Sequence, residues 1–155
     1  NFTVQIANDN SDGQIVLSGK NSDLSNLTEV LKTNMIKNIK LPVSAPFHCK
    51  LMNKATEIMK KKIDNTIFND SKNILISNVT AQEILNKDDL KKLLIEQIEN
   101  RVRWRESVIY MINKEVDHFI EIGPGKVLSG LIKRINKNVK INTINNESDI
   151  KDLNI

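Results

Sequence analysis

At 155 residues, 39% apolar and 27% charged, the chain has the composition of an ordinary globular domain and is long enough to bury a sizeable core. Its net charge of +4 comes from dispersed lysines and four arginines, with only 4% aromatic residues, which excludes the clustered cations and interleaved rings of a nucleic-acid reader. One cysteine excludes an internal disulfide and points to a reducing compartment, two histidines and one cysteine fit no zinc-site spacing, and no apolar window of 18 residues could cross a membrane.

The chain opens at Asn1 with neither a methionine nor a charged-then-apolar leader, so the true start is expected elsewhere and no signal peptide is read. Phe2 to Ala7 alternates as a strand, "NDNSDG" supplies turn formers, and "QIVLSG" begins a second strand, a hairpin pattern. From Ser22 a helix is expected, with Asp23 in its first turn and Leu24, Leu27, Val30 and Leu31 as its apolar stripe. "IKLPV" then reads as a third strand. Beyond His48, Leu51, Met52, Ala55, Ile58, Met59 and Ile63 recur at helical spacing, with the methionines expected in the core. Lys60, Lys61 and Lys62 close that helix as a solvated, dipole-favoured end.

"NILISNVT", Asn73 to Thr80, is a short apolar run suited to a buried parallel strand. Helices follow around 90–98 and 105–112, then a strand "HFIEIG", a helix "KVLSGLIKRI", a weak strand "VKINTI" and a short last helix. Strands alternating with helices imply an α/β fold in the second two-thirds of the chain. No internal repeat is present.

Two stretches have residue types suited to chemistry. "FIEIGPGKVLSGL", Phe119 to Leu131, sends a strand through Gly-Pro-Gly into a helix, which exposes backbone N–H groups at the sheet's carboxyl edge. It fits neither a Walker loop nor a dinucleotide fingerprint, and from its spacing a tight turn without a ligand is the better reading. "LPVSAPFHCKLM", Leu41 to Met52, places His48 in a connection entering a helix. An imidazole with one nitrogen held by a hydrogen bond can take a hydroxyl proton at the other, so His48 is either a base or a satisfied turn histidine. No "GxSxG" elbow supplies the hydroxyl; Ser18 and Ser129 sit in "LSG" contexts. His118, at the start of a strand, reads as structural.

"IANDNSDGQIVLSG", "LPVSAPFHCKLM", "VRWRESVIYM" and "FIEIGPGKVLSGLIKRI", in that order, resemble the second half of the malonyl-CoA:acyl carrier protein transacylases of type II fatty acid synthesis. The resemblance spans about residues 4–135, and polyketide acyltransferase domains share these blocks more loosely. It implies an incomplete ferredoxin-like small lobe at 1–46 and the C-terminal part of an α/β hydrolase-like lobe at 47–155, with His48 at their junction. It further implies transfer of malonyl from coenzyme A, through a seryl ester, to the phosphopantetheine thiol of acyl carrier protein.

By that resemblance His48 is the general base and Gln97 orients it through a backbone carbonyl, which adds no negative charge beside an anionic malonyl group. Phe47 resembles a ring that limits branched acyl groups, Asn8 and Asn10 resemble asparagines near the cleft, and Val127 resembles a position whose backbone meets the pantetheine arm. Lys37, with Lys40, is placed to meet the coenzyme's phosphates. For Phe47, for the two asparagines and for the lysines, a local structural role reads equally from spacing: a packed turn ring, hairpin formers, solvated lysines.

The family's serine, its oxyanion-hole glutamine and its malonyl-clamping arginine belong to a first half not represented in this sequence, and none of Arg101, Arg103, Arg105 or Arg134 stands at the arginine's position. The chain is therefore expected to be catalytically incomplete. Its expected partners are malonyl-CoA, acyl carrier protein and the other half of the same enzyme, with no nucleic acid, membrane, metal or cofactor beyond the coenzyme A substrate. The expected compartment is the cytoplasm in a bacterium, and a plastid (an apicoplast) or mitochondrion in a nucleated cell. The alternatives are a polyketide-type acyltransferase using another acyl group and a non-catalytic fragment that docks acyl carrier protein.

Overall fold

The computed structural model describes residues 3–151 and 153; Phe2, which opens the expected first strand, lies outside them. Strand β1 (Val4–Ser11) turns at Asp12-Gly13 into the antiparallel β2 (Gln14–Gly19). Gly13 sits at φ 73°, the left-handed backbone that a two-residue hairpin loop needs and that glycine adopts without a Cβ clash. The strand runs further than its alternation suggests. Asn8, Asp9 and Asn10 fall inside β1, next to two irregularities in the ladder.

Helix α1 (Asn21–Thr33) follows, then α2 (Asn53–Asp64), entered through a single 3-10 turn at Lys50–Met52. Next come α3 (Lys87–Glu96) and α4 (Trp104–Asn113). Strand β3 (His118–Ile122), α5 (Val127–Ile135) and β4 (Lys140–Ile144) form a parallel βαβ unit, closed by α6 (Glu147–Lys151). The main core belongs to this region: Val108 of α4, Phe119 of β3, Ile132 of α5 and Val139 pack together, with Trp104, Met111 and Ile141 against them. The whole is the α/β architecture expected from the alternation of elements.

Two expected strands do not form. "IKLPV" has no strand partner among the described residues; the Val43 N–H bonds back to the Leu41 carbonyl at 2.9 Å, a three-residue turn around Pro42, which has no N–H to offer a ladder. In "NILISNVT" the Ser77 hydroxyl accepts from the Val79 and Thr80 N–H groups, and the chain turns back so that Ile76 bridges Glu83 antiparallel. A serine that captures backbone donors ends an extended run, whatever its apolar content. The expectation that the α2 methionines are core also fails: α2 buries no residue fully, and Met59 stands 45% exposed.

The hairpin is joined to the remainder along β1. Val102 pairs with Asn8, with its N–H donating to the Ala7 carbonyl at 2.8 Å and its carbonyl accepting from the Asp9 N–H at 2.9 Å. Arg105 of α4 then reaches the buried Asp9 (3.1 Å) and Asp12 (2.6 Å), and these two carboxylates raise its pKa above the ordinary guanidinium value.

Candidate active site

Helix α3 begins at an Asn86 cap whose side-chain oxygen accepts from the Asp88 and Asp89 N–H groups, and ends at Gln97. The last carbonyls of a helix have no intrahelical donor. Those of Ile95 and Glu96 are taken by the N–H groups of Ile98, Glu99 and Asn100, which leaves the Gln97 carbonyl for another donor. His48 supplies it: Nδ1 lies 2.9 Å from the Gln97 carbonyl oxygen.

A carbonyl only accepts, so this bond places the proton on Nδ1 and leaves Nε2 with its lone pair. The Gln97 side-chain amide lies 3.3 Å from the same Nδ1, but that nitrogen has one in-plane site and the carbonyl fills it. The amide instead donates to the Asn100 carbonyl, also at 3.3 Å. The negative end of the α3 dipole favours a positive charge on the ring without a full anion beside it.

The His48 turn is itself held from several sides. His48 adopts φ 58°, a left-handed conformation that costs energy in any residue with a Cβ and persists only where the surroundings enforce it. The following Cys49 is buried, donates through its thiol to the Pro46 carbonyl at 3.1 Å and accepts from the Ser18 hydroxyl of β2. The Lys50 N–H donates to the Gln5 side chain of β1 at 2.7 Å. The hairpin therefore fixes the turn on one side and α3 fixes the ring on the other.

The structure brings His48 and Gln97 together. Phe47, adjacent in sequence, is 49% exposed. Asn8 and Asn10 lie in β1, and Lys37 lies in the exposed segment after α1. Val127 opens α5 at 72% exposure. Among the described residues no hydrogen bond or ion pair joins Lys37 or Val127 to His48 or Gln97.

The Gly-Pro-Gly turn offers no free helix end. The Glu121 carboxylate accepts from the N–H groups of Leu128 (3.0 Å) and Ser129 (2.7 Å), and Asn145 accepts from the Gly125 N–H. Burial pushes the Glu121 carboxyl up, while the nearby Ser129 hydroxyl and the N–H groups of Ser129, Leu128 and Val127 outweigh it and hold the carboxyl below its ordinary range. The Ser129 hydroxyl completes no hydrogen bond of good geometry. An acidic residue six positions before a helix start is not a capping pattern, so only the folded turn reveals it. His118 caps the edge of β3, with Nε2 2.8 Å from the Asn142 side chain. Among the described residues no cluster of His, Cys, Asp or Glu could hold a metal, and no helix is long and apolar enough to cross a membrane.

No family model matches the chain. It is 43% identical over 149 residues to the malonyl CoA-acyl carrier protein transacylase of Bacillus subtilis, an alignment that covers 96% of this chain and 47% of that protein. The crystal structure of the Clostridium perfringens malonyl CoA-acyl carrier protein transacylase superposes with a TM-score of 0.92 at 39% identity, over 97% of this chain and 48% of that one. A malonyl-transacylase solved in complex with a type II PKS acyl-carrier protein superposes at 0.91 with 29% identity, over 97% of this chain and 49% of its own. The chain spans about half the length of the relatives it matches. In sequence and in fold, it corresponds to about half of a malonyl CoA-acyl carrier protein transacylase.

Proposed function

We propose that this chain is the base-bearing part of an enzyme that moves malonyl from malonyl-CoA to the phosphopantetheine thiol of acyl carrier protein, through a seryl ester whose serine lies outside this sequence. One observation carries the reading: the Nδ1–H of His48 bonded to the Gln97 carbonyl at 2.9 Å, which leaves Nε2 as a free base. Resemblance to named transacylases supplies the substrate class. The solved complex of a neighbour with an acyl-carrier protein supports the acceptor.

The chemistry follows from the geometry. Nε2 takes the proton of the serine hydroxyl as its oxygen attacks the thioester carbonyl, and the imidazolium is steadied by the Gln97 carbonyl and the end of α3. Collapse of the tetrahedral intermediate breaks the C–S bond, and the coenzyme A thiolate leaves with the proton from Nε2. In the second half the neutral ring takes the pantetheine thiol proton, the thiolate attacks the seryl ester, and the serine oxygen recovers the proton. Phe47, half exposed and next to His48 in sequence, is assigned on resemblance to limit the acyl group. Asn8, Asn10, Lys37 and Val127 are assigned to the substrate side of the cleft on resemblance. Residues 1–46 and 47–155 are read as parts of the small and large lobes, and the compartment is the cytoplasm in a bacterium or a plastid or mitochondrion in a nucleated cell.

The accessible surface supports an additional covering part. A compact monomer of 17.6 kDa exposes roughly 7,900 Å² by the usual mass scaling, whereas this chain exposes 11223 Å². Helices α1, α2 and α3 bury no residue fully, and Ile39, Val43, Ile58 and Ile74 stand 60% or more exposed. Intact-mass analysis of the whole enzyme after brief exposure to malonyl-CoA tests the reading: a single malonyl adduct is expected, forming more slowly by about two orders of magnitude in His48→Ala. An adduct that forms at the unaltered rate in that variant would falsify the base assignment.

A further inference from the structure

The Gln97 carbonyl is useful only if the turn that carries it stays against the segment that carries His48, and one side chain links the two. Glu99, two residues past Gln97, turns its carboxylate toward the start of the helix that follows His48. Its Oε1 accepts from the Asn53 side-chain amide at 3.4 Å, and its Oε2 lies 3.7 Å from the Lys50 ammonium. The side chain is 11% exposed although the pair's cation is 71% exposed, so the carboxylate is held inside the junction while Lys50 covers it from solvent. The Thr56 hydroxyl, one turn along α2, is the strongest influence lowering its pKa, followed by burial in the opposite sense and then Asn53 and Lys50. Lys50, Asn53 and Thr56 all lie within eight residues of His48, on the rigid 3-10 turn and helix that its own turn runs into.

We infer that Glu99 is a positioning residue: it clips the end of α3 to the start of α2 and thereby sets the His48–Gln97 distance and the ring's tautomer. The inference rests on the reading of His48 as a base oriented by Gln97, and it assigns Glu99 no contact with substrate. Without the clip the turn at 97–100 keeps its internal bonds, from Asn100 Nδ2 to the Glu96 carbonyl and from Gln97 Nε2 to the Asn100 carbonyl. What it loses is its registration against His48.

The test is made in the whole enzyme with ¹⁵N-labelled histidine. Unaltered, His48 is expected to show a single neutral tautomer protonated at Nδ1. Glu99→Ala is expected to give a tautomer mixture, a kcat lowered about tenfold and an unchanged KM for malonyl-CoA. Glu99→Gln, which still accepts from Asn53, should restore the single tautomer. If Glu99→Ala does not fold, Asn53→Ala combined with Lys50→Met removes the partners on the His48 side and should give the same mixture. A single tautomer and full kcat in the variants that remove the clip would overturn the inference while leaving the base reading intact. A mixed or Nε2-protonated ring in the unaltered enzyme would overturn the orienting-carbonyl reading and the clip with it.

Discussion

His48 has the left-handed φ of a strained position and a ring whose outer nitrogen is free, while the nitrogen facing the protein is spoken for. Replacing Gln97 cannot delete a backbone carbonyl, so Gln97→Ala is expected to keep most activity, whereas Gln97→Pro, which also removes the N–H bonded to Leu93, should abolish it. Steady-state kinetics of the two variants check this. The pH dependence separates the groups. Glu99 is held below its ordinary pKa, so its contribution to the junction is complete above the unfolded carboxylate range and is lost as pH falls through the lower folded value. The clip is thus intact across the neutral range.

At the scale of elements, the helices and the βαβ unit are fixed by caps and ion pairs of unequal weight. Asn86→Ala removes the cap of α3 and should cost about 1 kcal/mol. Losing Glu121 strips the first turn of α5 by a similar amount; its depressed pKa makes that share present above the unfolded carboxylate range and lost in acid. Arg105→Met leaves the buried Asp9 unpaired and should cost more than Lys32→Met, which breaks an exposed pair worth under about 0.5 kcal/mol. Urea unfolding of each variant measures the differences. Most elements were legible from periodicity, because α1, α4, α5 and the hairpin satisfy their own spacing rules. The two failed strands were not, since Pro42 and the Ser77 hydroxyl act locally against an apolar pattern that is otherwise correct. At the site, His48 stood out as a candidate from its own residues, whereas Gln97 was legible only through resemblance, as a free carbonyl has no side-chain signature. Glu99 and Glu121 had no signal, because each works on donors placed by the fold.

For the whole molecule, the uneven distribution of the core matters most. Val108, Phe119, Ile132 and Val139 close one region well, while Ile58 and Met59 of α2 and the pair Ile74 and Leu75 remain open. An exposed excess of that size is a surface that expects cover. The isolated chain should therefore bind an apolar dye, and both the dye signal and the melting temperature should respond to addition of the complementary part, the signal falling and the temperature rising. The central claim, that this chain supplies the base for malonyl transfer, is tested most directly by joining it to the part of the Bacillus subtilis transacylase that it does not match. Malonyl transfer to acyl carrier protein is then followed. The account predicts transfer with the natural chain and a loss of at least about a hundredfold with His48→Ala. Equal transfer by the two chimeras would contradict it.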